Sequence, residues 1–259
     1  MTTTTPATSP ASGPPQASFR SALLTALMAL VFGFLGAAIW SISGIGDAWA
    51  DNRTRAFLMD NPEVLPEMAQ ELQARDSAKR LAEAGSEVFD PFPGAVLGNP
   101  DGSRTLVEFT DYNCPYCEAS LRDVNQLVAE DPDLRVIIRE YPIFEGSDVA
   151  SRMALAAAMQ GKYDAFHTKM FELGPANADT VEAAAIAAGL DMERARIDAM
   201  SNPVSLELAR NQALARAIGF GGTPAWVSGD RAVEGAVGYQ SLKDLIENAG
   251  PRADTQAAS

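Results

Sequence analysis

Apolar and polar positions change their rhythm several times along the chain. From Ser21 to Gly46 no residue is charged, and Ala22 to Trp40 (ALLTALMALVFGFLGAAIW) is almost continuously apolar. Residues 53–86 are charged and helix-prone, with Leu65, Met68 and Leu72 at spacings of three and four, a narrow apolar stripe. Val96-Leu97 and Thr105–Phe109 flank Asn99-Pro100-Asp101-Gly102, and this reads as a hairpin feeding a buried strand. A helix follows from Pro115 to about Ala129 with Leu121, Val124 and Val128 on one face, then a short β-branched strand, Leu134–Ile138. From about Asp148 to Ile218 the pattern is helical, punctuated at Gly161, Gly174-Pro175, Gly189 and Asn202-Pro203. Strands return at Ala225–Val227 and Ala232-Val233, and a last helix carries Leu242, Leu245 and Ile246. The order β-α-β, helical block, β-β-α is that of a mixed α/β core at 87–249 holding a helical insertion at about 145–220.

At 1.5 Å per residue, about 20 residues span the roughly 30 Å hydrocarbon layer, whereas a cleaved signal has an apolar region of about 7–15. Residues 21–46 therefore read as a transmembrane anchor, with a cleaved signal or a buried core helix as the alternatives. Arg20 before the span and Asp47 and Asp51 after it place the N-terminus inside, although Arg53 and Arg55 weaken that bias. Residues 1–20, nearly all Thr, Ser, Pro, Ala and Gly, are then a disordered cytoplasmic tail, and 250–259 a second disordered tail. In 53–86, Asn61-Pro62-Glu63 is a helix start in which Asn61 can cap. Arg75 and Lys79 cut the stripe short, so 53–86 is either a self-association stalk or a helix folded back on its own domain.

Charge excludes one large class. Against 34 Asp and Glu there are 20 Lys and Arg, a net −14. Such a chain gains nothing from counterion release on a phosphate backbone, so no nucleic-acid partner is expected. A hydrophobic share of 47% excludes global disorder. The single histidine, His167, excludes a His-rich metal centre. The cysteines number two, Cys114 and Cys117, too few for a disulfide scaffold.

Cys114-Pro115-Tyr116-Cys117 follows a predicted strand and opens a predicted helix. Residues three apart on a helix share a face, which brings the sulfurs within disulfide reach. At the helix N-terminus, free N–H groups and the dipole stabilise a Cys114 thiolate, and Pro115 suits the first helical position. Cys117, one turn inward, is expected to be the less accessible sulfur. One attacking and one resolving sulfur are what thiol–disulfide exchange requires. Other readings remain: half of a zinc site with His167, a Cu(I) site of two soft thiolates, or a static disulfide.

LVEFTDYNCPYC, FEGSDVASRMALAA and GFGGTPAWVSGDRAVEGAVG, in that order over 87–249, resemble the DsbA-type thioredoxin-fold thiol oxidoreductases of bacterial periplasms. AFLMDNPEVLPEMAQELQ resembles the N-terminal stalk of the ScsC-like branch. The resemblance implies a thioredoxin fold with an inserted helical domain, preceded here by a transmembrane helix and a helical stalk. It implies that Cys114 is the nucleophile and Cys117 the resolving cysteine. Thr223-Pro224, locally a turn signal before a strand, then matches the cis-proline loop that binds an extended substrate together with Pro115 and Tyr116. Glu108 matches the acid beneath the redox pair, where burial raises its pKa and lets it relay protons to Cys117; taken alone, it also fits a strand-edge glutamate facing water. Where strongly oxidising members carry histidine between the cysteines, this chain has Tyr116, which removes a cationic neighbour from the thiolate.

The expected activity is therefore protein disulfide donation, isomerisation or reduction, with Cu(I) binding by the same thiolates as the alternative. The resemblance implies no cofactor beyond the Cys114–Cys117 disulfide, and no metal. Expected partners are exported cysteine-containing proteins, a membrane redox partner and, through 53–86, further copies of the chain. The expected place is a single-pass inner-membrane protein with its catalytic domain in the periplasm. His167 reads as a surface or packing residue, Tyr112 and Trp226 as groove-lining or core, and Met153, Met159 and Met170 as core fillers.

Overall fold

Twenty uncharged residues, Ser21–Trp40, form a helix long and apolar enough to cross a membrane, with mean hydropathy 2.4 and no part of it buried against protein. In the computed structural model, which describes residues 19–43 and 45–250, this is most of α1 (Phe19–Ser43). Residues 1–18 and 251–259, nearly all of the two expected tails, lie outside the described residues. The chain divides into two units, Met1–Met68 and Ala69–Ser259.

In the first unit α2 (Ile45–Asp60) follows α1, and α3 (Val64–Ala84) begins after a short break. Asn61 does not cap α3 with its side chain as the sequence suggests. Its amide Nδ2 donates to Phe57 O at 2.8 Å, closing the end of α2, while its carbonyl accepts from Val64 N at 3.2 Å. The last carbonyls of a helix lack partners, and an amide side chain is a ready donor for them. Leu65 and Met68 are exposed.

In the second unit Leu72 is exposed as well, but Leu81, nearer the end of α3, is buried with Val88 and Phe89 of a short 3₁₀ turn, Ser86–Phe89. The five-stranded sheet has the order β1-β3-β2-β4-β5: β1 (Val96–Gly98), β2 (Arg104–Thr110), β3 (Leu134–Glu140), β4 (Ala225–Ser228) and β5 (Arg231–Glu234). β2 and β3 run parallel, joined by α4 (Pro115–Glu130), and the other pairs are antiparallel. The predicted hairpin of 96–97 with 105–109 is not formed, because β1 pairs with β3 instead (Leu97 opposite Val136). The turn itself exists, with Gly102 N donating to Asn99 O at 3.0 Å. Gly98 precedes it at φ +76°, where an added Cβ would meet Leu134 O at 2.6 Å. The chain thereby passes the end of β3, and both edges of the almost wholly buried β2 are left for β3 and β4.

Between β3 and β4 come α5 (Ser147–Met159), α6 (Tyr163–Glu172), α7 (Ala178–Ala187), α8 (Met192–Ala199) and α9 (Asn202–Ile218); α10 (Tyr239–Glu247) ends the domain. The inserted helices proper are α5–α8. α9 joins them through Val204 and Leu208, but Leu214, Ala215 and Ile218 pack beneath the sheet. One sheet face, with Leu106, Val136, Ile138 and Trp226, is covered by α4, α10 and the insertion. The other, with Val107, Phe109, Ile137 and Val227, meets Leu81, Phe89, Ile218 and Phe220. Each such large side chain contributes about 1.5–3 kcal/mol by burial. On that second face Arg139 is fully buried. Its Nη1 lies 2.9 Å from both Glu207 Oε1 and Asn211 Oδ1, and Nη2 donates to the carbonyls of Glu87 and Asp90. This arginine fastens the segment entering the domain to β3 and α9.

Candidate active site around the two cysteines

β2 delivers the chain to Asp111, whose buried carboxylate holds the next turn in place. Oδ1 accepts from Asn113 N at 2.7 Å and from the Ser147 hydroxyl; Oδ2 accepts from Ile143 N at 2.6 Å and Phe144 N at 3.0 Å. Asn113 adds two ties to the insertion, donating to Glu145 O at 3.0 Å and accepting from Ala176 N at 2.6 Å. Cys114 then stands as the N-cap of α4 with Pro115 opening the helix. Its carbonyl accepts from Cys117 N at 3.1 Å and Glu118 N at 3.2 Å, so the first turn closes around the CPYC segment.

Both cysteines are free thiols. The Cys114 thiol donates to Thr223 O at 3.1 Å, and the Thr223–Pro224 peptide is cis. The proline loop therefore faces the first sulfur, and Pro115 and Tyr116 are exposed beside it. Both cysteines are buried, Cys114 at 2% and Cys117 at 1% exposure, so accessibility barely separates them. The main chain of Thr223 covers Cys114 as effectively as the helix covers Cys117. The asymmetry is electrostatic instead. Burial pushes the Cys117 thiol far above the usual thiol range, and the neighbouring Glu108 pushes it further.

Glu108 is buried on β2, paired with Ile138 on one side and Trp226 on the other, and is no strand-edge residue facing water. Burial raises its carboxyl from 4.5 to about 8; the Thr110 hydroxyl offsets this in part and Glu140 adds to it. Glu140, at the end of β3, is also buried and raised to about 8, again by burial first. It accepts from Tyr163 Oη at 2.6 Å and Tyr112 Oη at 3.1 Å, and Tyr112 Oη lies 2.9 Å from His167 Nδ1. Sequence reasoning singled out Glu108 but missed Glu140. The signal was there: Val136, Ile138 and Glu140 alternate on one face of a β-branched strand, the face that carries Glu108. His167 is buried, a packing residue rather than a surface one, and Trp226 is core, its indole donating to Gly235 O at 2.9 Å. Met153 and Met170 fill the core, and Met159 packs at its margin. Among the described residues no group of three or more His, Cys, Asp or Glu is placed to hold a metal ion.

Comparison with known proteins agrees with this geometry. Residues 105–247 match the family described as DSBA-like thioredoxin domain, and residues 55–79 the copper resistance protein ScsC N-terminal domain. A thioredoxin-like oxidoreductase from Silicibacter pomeroyi is 44% identical, with a TM-score of 0.60 over 62% of this chain and 95% of that one. ScsC of Proteus mirabilis in a transitional conformation is 27% identical, with a TM-score of 0.59 over 78% of this chain and 95% of that one. Among curated proteins, a Na(+)/H(+) antiporter NhaA of Herminiimonas arsenicoxydans is 29% identical over 61% of this chain. The chain spans about a quarter (26%) of that relative's length. The DSBA-like match takes in more than half of the sequence, including the CPYC helix and the loop facing it, and the chain belongs to the DSBA-like thioredoxin domain family.

Proposed function

We propose that this chain exchanges disulfides with exported, cysteine-containing polypeptides through Cys114 and Cys117. The observation that carries the reading is the meeting of the Cys114 sulfur, at the N-terminus of α4, with the carbonyl of Thr223 before cis Pro224. In the reductive direction Cys114 attacks a substrate disulfide and releases one substrate thiolate. Cys117 then attacks Cys114 Sγ of the mixed disulfide and expels the second, its proton passing to Glu108. Disulfide donation is the same sequence reversed. An extended substrate lies along the Thr223-Pro224 loop, with Pro115, Tyr116 and the exposed Ile143 and Phe144 beside it.

α1 anchors the protein in the inner membrane, with the catalytic domain on the periplasmic side, where a membrane redox partner resets the cysteine pair. The exposed Leu65, Met68 and Leu72 join copies of the chain. These proposals are supported by the apolar span, by the resemblance to periplasmic oxidoreductases and by the stripe itself. The match of 55–79 to a copper-resistance family favours a second reading, in which the two thiolates take up Cu(I). Insulin reduction and refolding of scrambled ribonuclease, run beside a Cu(I) titration against glutathione, separate the two. Turnover that is lost in Cys114→Ser supports exchange. Tight Cu(I) uptake without turnover supports the second reading.

A further inference from the structure

β2 and β3 run parallel with Glu108 opposite Ile138 and Thr110 opposite Glu140. A period of two therefore puts both glutamates on one sheet face, one strand and one step apart, beneath Cys117. The exchange steps above use Glu108 and leave Glu140 without a task. Yet Glu140 is fully buried, and among the described residues it has no cationic partner. Arg139, the next residue back, lies on the opposite face, ion-paired to Glu207. Glu140 is instead held by neutral groups. Tyr163 and Tyr112 both donate to Oε1, and each hydroxyl has one hydrogen to give. Tyr112 Oη also lies 2.9 Å from His167 Nδ1, which joins the imidazole to the same network. Burial, which lowers His167 to about 3, keeps it neutral. Oε2 accepts no hydrogen bond of ordinary geometry among the described residues, and the nearby Ser151 hydroxyl is a further neutral group that favours the charged form of this carboxylate. A carboxylate with a structural task alone is expected to be neutralised as Glu207 is. This one is oriented by hydroxyls and left without a counter-charge among the described residues, one strand away from Glu108.

We propose that Glu140 is a positioning residue of the exchange reaction, acting on Glu108 across the β2–β3 pair and setting how readily Glu108 takes the proton that Cys117 gives up. The inference rests on the exchange reading above. In the step concerned, Cys117–SH, the Glu108 carboxylate and a Cys114 mixed disulfide become the Cys114–Cys117 disulfide, Glu108–COOH and a free thiolate. A negative charge on Glu140 makes Glu108 the stronger base, and Glu108 in turn acts on the Cys117 thiol. The titratable groups around Glu108 are Glu140 from β3, Cys117 from α4 and Tyr112 from the loop after β2; β4 contributes the uncharged Trp226. Around Glu140 they are Glu108, Asp111, Tyr112 and, from α6, Tyr163 and His167.

The test follows release of the second glutathione thiol when the reduced full-length chain reacts with oxidised glutathione, by stopped flow from pH 5 to 10. In Glu140→Gln the midpoint of the resolving rate moves to lower pH by about one unit, the scale of effect a nearby charge exerts. Tyr163→Phe keeps the carboxyl but removes a donor to its charged form, and so moves the midpoint the same way. In Glu108→Gln the midpoint disappears, and adding Glu140→Gln changes nothing further. A Glu140→Gln or Tyr163→Phe protein that turns over with the wild-type midpoint overturns the proposal, and so does a shift that persists without Glu108. If the wild-type chain itself releases no second thiol, it is the exchange reading that fails.

Discussion

Replacing Glu108 with Gln tests whether a carboxylate beneath Cys117 is held in its protonated form by the fold. The folded midpoint of about 8 lies above the ordinary 4.5, so between these values the folded state binds more protons than the unfolded state. Stability then falls as pH rises through that window. At about 1.4 kcal/mol per pH unit, the ionised fold is penalised by roughly 5 kcal/mol above pH 8 and by almost nothing below 4.5. Gln cannot ionise, so Glu108→Gln removes this penalty: the variant unfolds like the wild type at pH 4.5 and is more stable by several kcal/mol at pH 8.5. The assay is urea unfolding of reduced 69–259, a unit with its own core, at intervals across that range. Parallel stability curves for the two proteins would refute the reasoning, since Glu108 would then ionise alike in folded and unfolded chains.

Removing the partner of a buried charge is the costly direction, so Glu207→Ala, which strips Arg139 of its carboxylate, is expected to lower stability by about 3–5 kcal/mol in the same urea assay. Glu207→Gln, which keeps an oxygen for Nη1, is expected to cost less. Replacing Leu65, Met68 and Leu72 together with Ser is expected to give a monomer by light scattering that loses ribonuclease isomerisation and keeps insulin reduction, because linked domains gain from effective concentration. A monomeric parent chain would remove the basis of that expectation.

The sheet and its helices were legible in the sequence because β2 and β3 carry several β-branched residues, the shorter strands lie beside turn residues, and each inserted helix ends at a glycine or an Asn-Pro. Strand partnership was less legible. Val96-Leu97 sits beside a turn and reads as half of a hairpin, yet the chain beyond Gly98 passes the end of β3 and leaves β1 on the far edge. Pairing depends on which edge of β2 is already taken, and local residues do not carry that information. The cysteine pair and the proline loop were readable from the CPYC and GGTPA motifs. The burial of Cys114 was not, since Thr223, 109 residues later, covers it. Nor were the ties of Asp111 and Asn113 to 143–147 and 176, which join loops distant in sequence. Asn61 was read as a cap for the helix ahead because Asn serves either end, and only the position of Phe57 O decides.

The central claim is a division of labour, with Cys114 exchanging with substrate and Cys117 resolving. It is tested most directly by incubating full-length Cys117→Ser and Cys114→Ser with a disulfide-bonded peptide and mapping adducts by mass spectrometry. A stable mixed disulfide at Cys114 in Cys117→Ser, with none at Cys117 in Cys114→Ser, is the predicted result. An adduct that forms on Cys117 as fast as on Cys114 would contradict the account.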